Sequence, residues 1–274
     1  MTDSLDDTNG PMKAYKNYQF LNSKFAREIR ILSEYTEPQA RFDELKIQDT
    51  VVFFGSAKIK SREVAVKNLE EIKKHGGNVN AAERDLKMSR YYEDARKLAF
   101  RLTEWSKSLE GSDSRFIVCS GGGPGIMEAA NRGAFDAEGI NVGLNISLPF
   151  EQFHNPFITR ELNFEFHYFF MRKFWFLYLA KAIIVYPGGF GTMDELFEVL
   201  TLLQTGKLQK PIPVVLYGSE FWNDTLNLKA LVQHGTIEPE DLNFFSIADA
   251  VDDAYDFIIK ELEEKSLVTP GEIL

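Results

Sequence analysis

The chain has 274 residues, 44% of them hydrophobic, and carries 41 acidic against 31 basic side chains, a formal net charge of −10. A chain of this length buries a core without disulfide or metal staples, and this negative balance excludes a broad surface for DNA, RNA or anionic lipid while leaving room for one nucleotide held by a few local donors. Cys119, the one cysteine, forms no internal disulfide, fits a reducing cytoplasmic setting and reads as a small buried apolar residue.

Residues 1–13 are polar, with Asp3, Asp6 and Asp7 and no apolar leader run, and are expected to be disordered. Residues 15–35 place Tyr18, Leu21, Phe25, Ile29 and Leu32 on one helical face, and Pro38 is the expected stop. This helix is expected to pack on the main domain or on a neighbouring subunit. The chain accordingly divides into an N-terminal extension, 1–46, and one domain, 47–274, with no internal repeat or low-complexity linker.

Val51-Val52-Phe53-Phe54 is the first clear strand and runs directly into Gly55-Ser56, either an ordinary strand exit or the lining of a ligand crevice. A charged helix is expected over 61–74, stopping at His75-Gly76-Gly77, and a longer one over 81–107 with Tyr91, Ala95, Leu98, Leu102 and Trp105 buried. After a turn at 111–114, Phe116-Ile117-Val118-Cys119 is the next strand. It opens into Ser120-Gly121-Gly122-Gly123-Pro124-Gly125-Ile126-Met127 and a helix to 137. This is neither the dinucleotide fingerprint, whose third glycine would fall on Ile126, nor a P-loop.

A short strand over 141–146 and a loop over 148–161 lead to a helix expected over 164–181, dense in aromatics and broken by Arg172, Lys173 and Lys181, which make it a poor membrane span. An apolar strand, Ala182-Ile183-Ile184-Val185, then enters Tyr186-Pro187-Gly188-Gly189-Phe190-Gly191-Thr192-Met193-Asp194-Glu195. The three glycines between strand and helix let a backbone approach a phosphate at a helix N-terminus. Thr192 and Glu195 also have the spacing of a capping box, which needs no ligand. A strand over 213–217, a helix over 220–233, a short strand at Phe244-Phe245 and a helix over 248–265 complete the chain. The alternation predicts an α/β fold, a Rossmann-like doubly wound, mainly parallel sheet with helices on both faces.

Arg172 in an apolar helix is costly to bury without a partner. Either the helix turns this edge to solvent, or it meets an anion: a surface acid, Glu195 or a bound phosphate. His75, His154, His167 and His234 are scattered and show no metal-ligand spacing, and no serine-hydrolase elbow occurs.

These motifs resemble the LOG family of cytokinin riboside 5′-monophosphate phosphoribohydrolases, formerly labelled lysine decarboxylases. Pro187 to Glu195 fits its P-G-G-x-G-T-x-x-E pattern, Arg172-Lys173 its Arg-Lys pair, and Gly121 to Met127 its glycine-rich loop, with Gly125 one place early. Gly55-Ser56 and Thr201 also fall at family positions. The family's Met-His ahead of the Arg-Lys pair is replaced by Phe169-Phe170, and the segment 58–89 is long, as in longer bacterial members. The resemblance implies Arg172 and Glu195 as the catalytic pair. It implies substrate contacts from Gly55, Ser56, Gly121, Gly122, Gly123, Gly125, Met127, Lys173, Gly188, Gly189, Gly191, Thr192 and Thr201. The implied reaction hydrolyses the N-glycosidic bond of AMP or an N6-substituted AMP to free base and ribose 5-phosphate, without cofactor or metal, in a cytoplasmic homo-oligomer that binds neither nucleic acid nor membrane. A non-catalytic nucleotide or cofactor carrier is the alternative.

Overall fold

A computed structural model of the chain describes residues 11–109, 114–149 and 155–267. Its strands are β1 Thr50–Phe54, β2 Ile117–Ser120, β3 Asn141–Ile146, β4 Asn163–Phe166, β5 Ala180–Val185, β6 Val214–Tyr217 and β7 Ser246–Ala248. The α-helices are α1 Tyr18–Leu21, α2 Arg27–Glu44, α3 Arg62–His75, α4 Val79–Ser108, α5 Ile126–Asp136, α6 Phe169–Tyr178, α7 Phe190–Gln204, α8 Ser219–Thr225, α9 Leu228–Gln233 and α10 Val251–Lys265.

The strands form one sheet in the order β4-β3-β2-β1-β5-β6-β7, and each neighbouring pair is parallel. The chain builds outward from β1 to β4, then returns to lay β5 on the other side of β1. Strand order therefore reverses between β1 and β5, where the connections leaving adjacent strands diverge and open a crevice at the carboxyl edge. The doubly wound fold expected from the alternation of elements is the one observed.

Both faces of the sheet are covered. Val52, Phe54, Ile183 and Val185 face one core, which holds Trp175 and Phe176 of α6 and Leu196 and Val199 of α7. Val51, Phe53 and Ile184 face the other, with Leu98 of α4, Ala129 of α5 and Ile258 of α10. Alternate residues thus enter different cores, which is why β1 and β5 read as unbroken apolar runs. Among the described residues no helix is long and apolar enough to cross a membrane.

Several elements differ from the sequence reading. Phe164 and Phe166 lie in β4, with Glu165 exposed between them; the aromatic density masked a period of two. Helix α6 starts at Phe169 and β5 at Ala180. The helix expected over 220–233 breaks at Leu226, and Asn227 caps a second one by accepting the N–H of Ala230 at 3.1 Å. Phe244 ends a 3-10 turn, and the last strand is Ser246–Ala248. Residues 111–113 of the turn expected over 111–114, most of the expected disordered stretch and His154 lie outside the described residues.

The N-terminal region also departs from expectation. Pro38 lies inside α2 rather than at its end. A proline there has no N–H to give the carbonyl four residues back, and that carbonyl, of Glu34, accepts instead from the Trp175 indole at 2.9 Å. The Glu34 carboxylate accepts the N–H groups of His167 and Tyr168 at 2.7 and 3.2 Å, at the N-terminal end of α6. Tertiary hydrogen bonds thus absorb the cost of the proline and tie α2 to α6. Tyr18, Phe25, Ile29 and Leu32, the face expected to be buried, are exposed on the single chain.

Candidate functional site

Three strand exits meet at the switch point. The Ser56 N–H, just past β1, donates to the Pro187 carbonyl at 3.0 Å, and the Ser56 carbonyl accepts the Ile126 N–H at 3.1 Å. Ser56 therefore stitches the glycine-rich loop after β2 to the one after β5. Gly125 makes this approach possible: its φ is +71°, and an added Cβ would stand 2.3 Å from the Ser56 carbonyl oxygen. The loop after β2 is held from below by buried polar side chains. Ser120 Oγ accepts the Gly122 N–H at 3.1 Å and donates to Asn131, which donates to Asn141 at 2.8 Å. Met127 packs beneath Gly121 and Gly123, a supporting position. The asparagines were legible only as polar residues inside apolar segments.

Helix α7 begins at Phe190 on a Gly189 N-cap with no side-chain hydrogen bond. Thr192 is thus the third residue inside the helix, and the capping-box alternative does not hold. Its buried side chain covers Gly188, where an added Cβ would meet Thr192 Oγ1 at 2.1 Å. Gly189 and Gly191 are different: an added Cβ meets nothing within 4 Å at either. The protein's own packing does not require glycine there, whereas a ligand lying against the first-turn N–H groups would.

Below this turn, α6 and α7 bring four charged side chains together with Arg172. Glu195 is buried, and burial pushes its carboxyl up to about 7 against the opposing charges of Lys173 and then Arg172. Lys173 is the cation within ion-pair distance: its Nζ lies 3.5 Å from Glu195, 2.9 Å from Asp194 and 2.6 Å from Glu198. Burial alone would lower the Lys173 ammonium, but its hydrogen bonds to Glu198 and Asp194 and the charge of Glu195 outweigh it, so its pKa lies above the ordinary lysine value.

Arg172 makes no ion pair within 4 Å among the described residues, and its Nε is buried without a hydrogen-bond partner. Burial lowers its pKa, with Glu195 and Asp194 opposing. Its guanidinium lies 5.3 Å from the Phe169 ring and 5.5 Å from the Phe176 ring. The sequence left open whether Arg172 pairs with Glu195, a surface acid or a ligand. In the folded chain it feels Glu195 without touching it, and Lys173 takes the carboxylates.

Thr201 stands apart. It is six residues beyond Glu195 on α7 and lines a different face, with Phe197, Leu200 and Gln204, beside an apolar groove against Leu228, Leu231 and Phe245. Its hydroxyl donates to the Phe197 carbonyl at 2.7 Å. Cys119 is buried, and burial pushes its thiol pKa up. Among the described residues no group of three or more His, Cys, Asp or Glu is placed to hold a metal.

Fold and site together define a doubly wound α/β protein with glycine-rich loops at its switch point and a buried carboxylate beside them. A family model described as possible lysine decarboxylase matches residues 127–258. A cytokinin riboside 5′-monophosphate phosphoribohydrolase of Rhodococcoides fascians is 30% identical over 126 residues, covering 44% of this chain and 60% of that protein. A "probable cytokinin riboside 5′-monophosphate phosphoribohydrolase" of Oryza sativa subsp. japonica is 37% identical over 71 residues, covering 26% of this chain and 30% of that one. Both alignments thus span less than two thirds of the relative. The chain is thus similar to LOG-family proteins over its central and C-terminal parts. Among solved structures, the molybdenum cofactor carrier protein of Chlamydomonas reinhardtii is similar at 14% identity and a TM-score of 0.47, over 79% of this chain and 99% of that one.

Proposed function

We propose that the chain is a nucleoside 5′-monophosphate phosphoribohydrolase that converts AMP or an N6-substituted AMP and water to free base and ribose 5-phosphate. The observation that carries this reading is a buried carboxylate, Glu195, one turn below a helix N-terminus whose Gly189 and Gly191 are open to a ligand. The names of the two relatives support it.

In this reading the 5′-phosphate binds the first-turn N–H groups of α7, and Arg172 supplies a guanidinium to the phosphate or ribose. As the bond from C1′ to the base nitrogen lengthens, positive charge builds on the ribose. The Glu195 carboxylate stabilises that charge and orients the water whose oxygen bonds to C1′; the departing base takes up a proton. A carboxyl group near 7 is suited to exchanging that water's proton at neutral pH. The decarboxylase description is not adopted. Schiff-base chemistry needs a lysine at the site that deprotonates readily; three carboxylates hold the proton on Lys173, and Lys210, which burial pushes down to about 7, donates to the Leu177 and Tyr178 carbonyls at the other end of α6.

Gly55, Ser56 and the loop from Gly121 to Gly125 complete the cradle from the neighbouring strands. The exposed Tyr18, Phe25 and Leu32 support a homo-oligomer, since apolar side chains grouped on a surface mark a contact. Incubation with a nucleotide panel, reading free base and ribose 5-phosphate, tests the activity. Tight retention of an intact nucleotide with no base released would overturn it in favour of a carrier.

A further inference from the structure

We infer that Phe169 is the platform on which this site holds the nucleobase, a specificity-determining residue for a purine mononucleotide; this rests on the phosphoribohydrolase reading and deepens it. Phe169, Arg172, Lys173 and Phe176 stand at i, i+3, i+4 and i+7 of α6 and so form one stripe along that helix. The stripe is graded. At its lower end Phe176 is buried, its ring 4.9 Å from Phe54 at the end of β1 and close beneath Gly121. Arg172 and Lys173 follow at the level of Glu195. Phe169, at the first turn of α6, is 51% exposed.

The fold sets the direction of this grading. Helix α6 connects parallel strands, so it runs against them and its N-terminus lies at the carboxyl edge, where the glycine-rich loops are. A nucleotide with its phosphate at the start of α7 and its C1′ beside Glu195 must carry its base onward from the ribose. Along α6 the surface beyond Arg172 is an open aromatic ring. Phe169 does not need to be ordered by the ligand, because the Arg172 guanidinium already sits 5.3 Å from its ring on one side and 5.5 Å from Phe176 on the other. A flat aromatic surface beside a guanidinium is suited to a purine, which offers a π-face to both. The neighbouring Phe170 is 54% exposed.

The test compares a ligand that has a base with one that lacks it. Binding of AMP and of ribose 5-phosphate is measured calorimetrically for wild type, Phe169→Ala and Phe169→Trp, alongside KM and kcat for AMP hydrolysis. Stacking on an aromatic predicts that Phe169→Ala weakens AMP binding about tenfold or more and raises KM similarly. Ribose 5-phosphate affinity stays unchanged, kcat changes little, and Phe169→Trp restores AMP binding. Equal weakening of both ligands would show a structural role and overturn the inference, as would no change in either. If wild type leaves AMP intact, the hydrolase reading fails, and the two binding measurements still decide the place of the base.

Discussion

Lys173, not Arg172, is the cation that contacts Glu195: the ammonium lies 3.5 Å from that carboxylate while also binding Asp194 and Glu198. The adjacent Arg-Lys pair therefore divides its work. The lysine spends its charge on the protein's own acids, and the guanidinium stays available for a ligand.

This division gives a pH signature. If Glu195 acts as a carboxylate, kcat/KM for AMP rises with pH through its ionisation near 7. Lys173 favours the ionised form, so Lys173→Met moves that limb to higher pH and lowers activity at pH 7. Comparing the two pH–rate profiles cancels the titration of the substrate's own phosphate; an unmoved limb would remove Lys173 from this role.

Glu195 also makes the fold pH-sensitive in a definite direction. Its folded pKa, about 7, lies above its unbound value of 4.5. Between those pH values the folded state holds more protons than the unfolded one, so stability falls as pH rises through the window, by on the order of 3 kcal/mol. Glu195→Gln cannot ionise. It is expected to abolish turnover, to match wild-type stability below pH 4.5 and to exceed it at pH 8. Urea midpoints at both pH values check this; equal midpoints at pH 8 would refute the buried-carboxylate argument.

Two glycines separate binding from folding. Gly189 has open space around an added Cβ, so Gly189→Ala is expected to leave the melting temperature nearly unchanged and to weaken phosphate or AMP binding about tenfold. Gly125→Ala pushes a Cβ against Ser56 from a φ of +71° and is expected to cost about 2 kcal/mol or more. Thermal melts with calorimetric titration distinguish them. A Gly189→Ala protein that binds AMP as wild type does would move the ligand away from this turn.

The hydrogen bond between Trp175 and the Glu34 carbonyl predicts coupling with Pro38. Trp175→Phe leaves that carbonyl without its donor, a loss of about 1–3 kcal/mol. In a Pro38→Ala background the helix regains its own N–H at residue 38 and the same change costs less. A double-mutant cycle by denaturant unfolding measures the difference; strict additivity would show that the indole does not replace the missing donor.

How far the chain could be read before folding varied by element. The helix α4, the strand Asn141–Ile146 and the glycine-rich exits after β2 and β5 were legible, because local period and glycine placement carry them. The β4 strand was not: Phe164 and Phe166 alternate around Glu165, but the eight aromatics from 166 to 178 overwhelmed that pattern. Pro38 misled for a related reason, since the donor that satisfies the Glu34 carbonyl lies 141 residues further along the chain.

The amino-acid sequence by itself determined the alternating α/β order, the two glycine-rich turns and the identities of Arg172, Lys173, Thr192 and Glu195, because these depend on side-chain type and short spacing. Only the tertiary structure decided which cation meets Glu195, that Thr201 faces a separate groove, and that Ser56 joins the two loops. Those outcomes depend on the rotation of α6 and α7 about their axes and on the return of β5 beside β1. Packing across the sheet sets both, and no local run of residues encodes them.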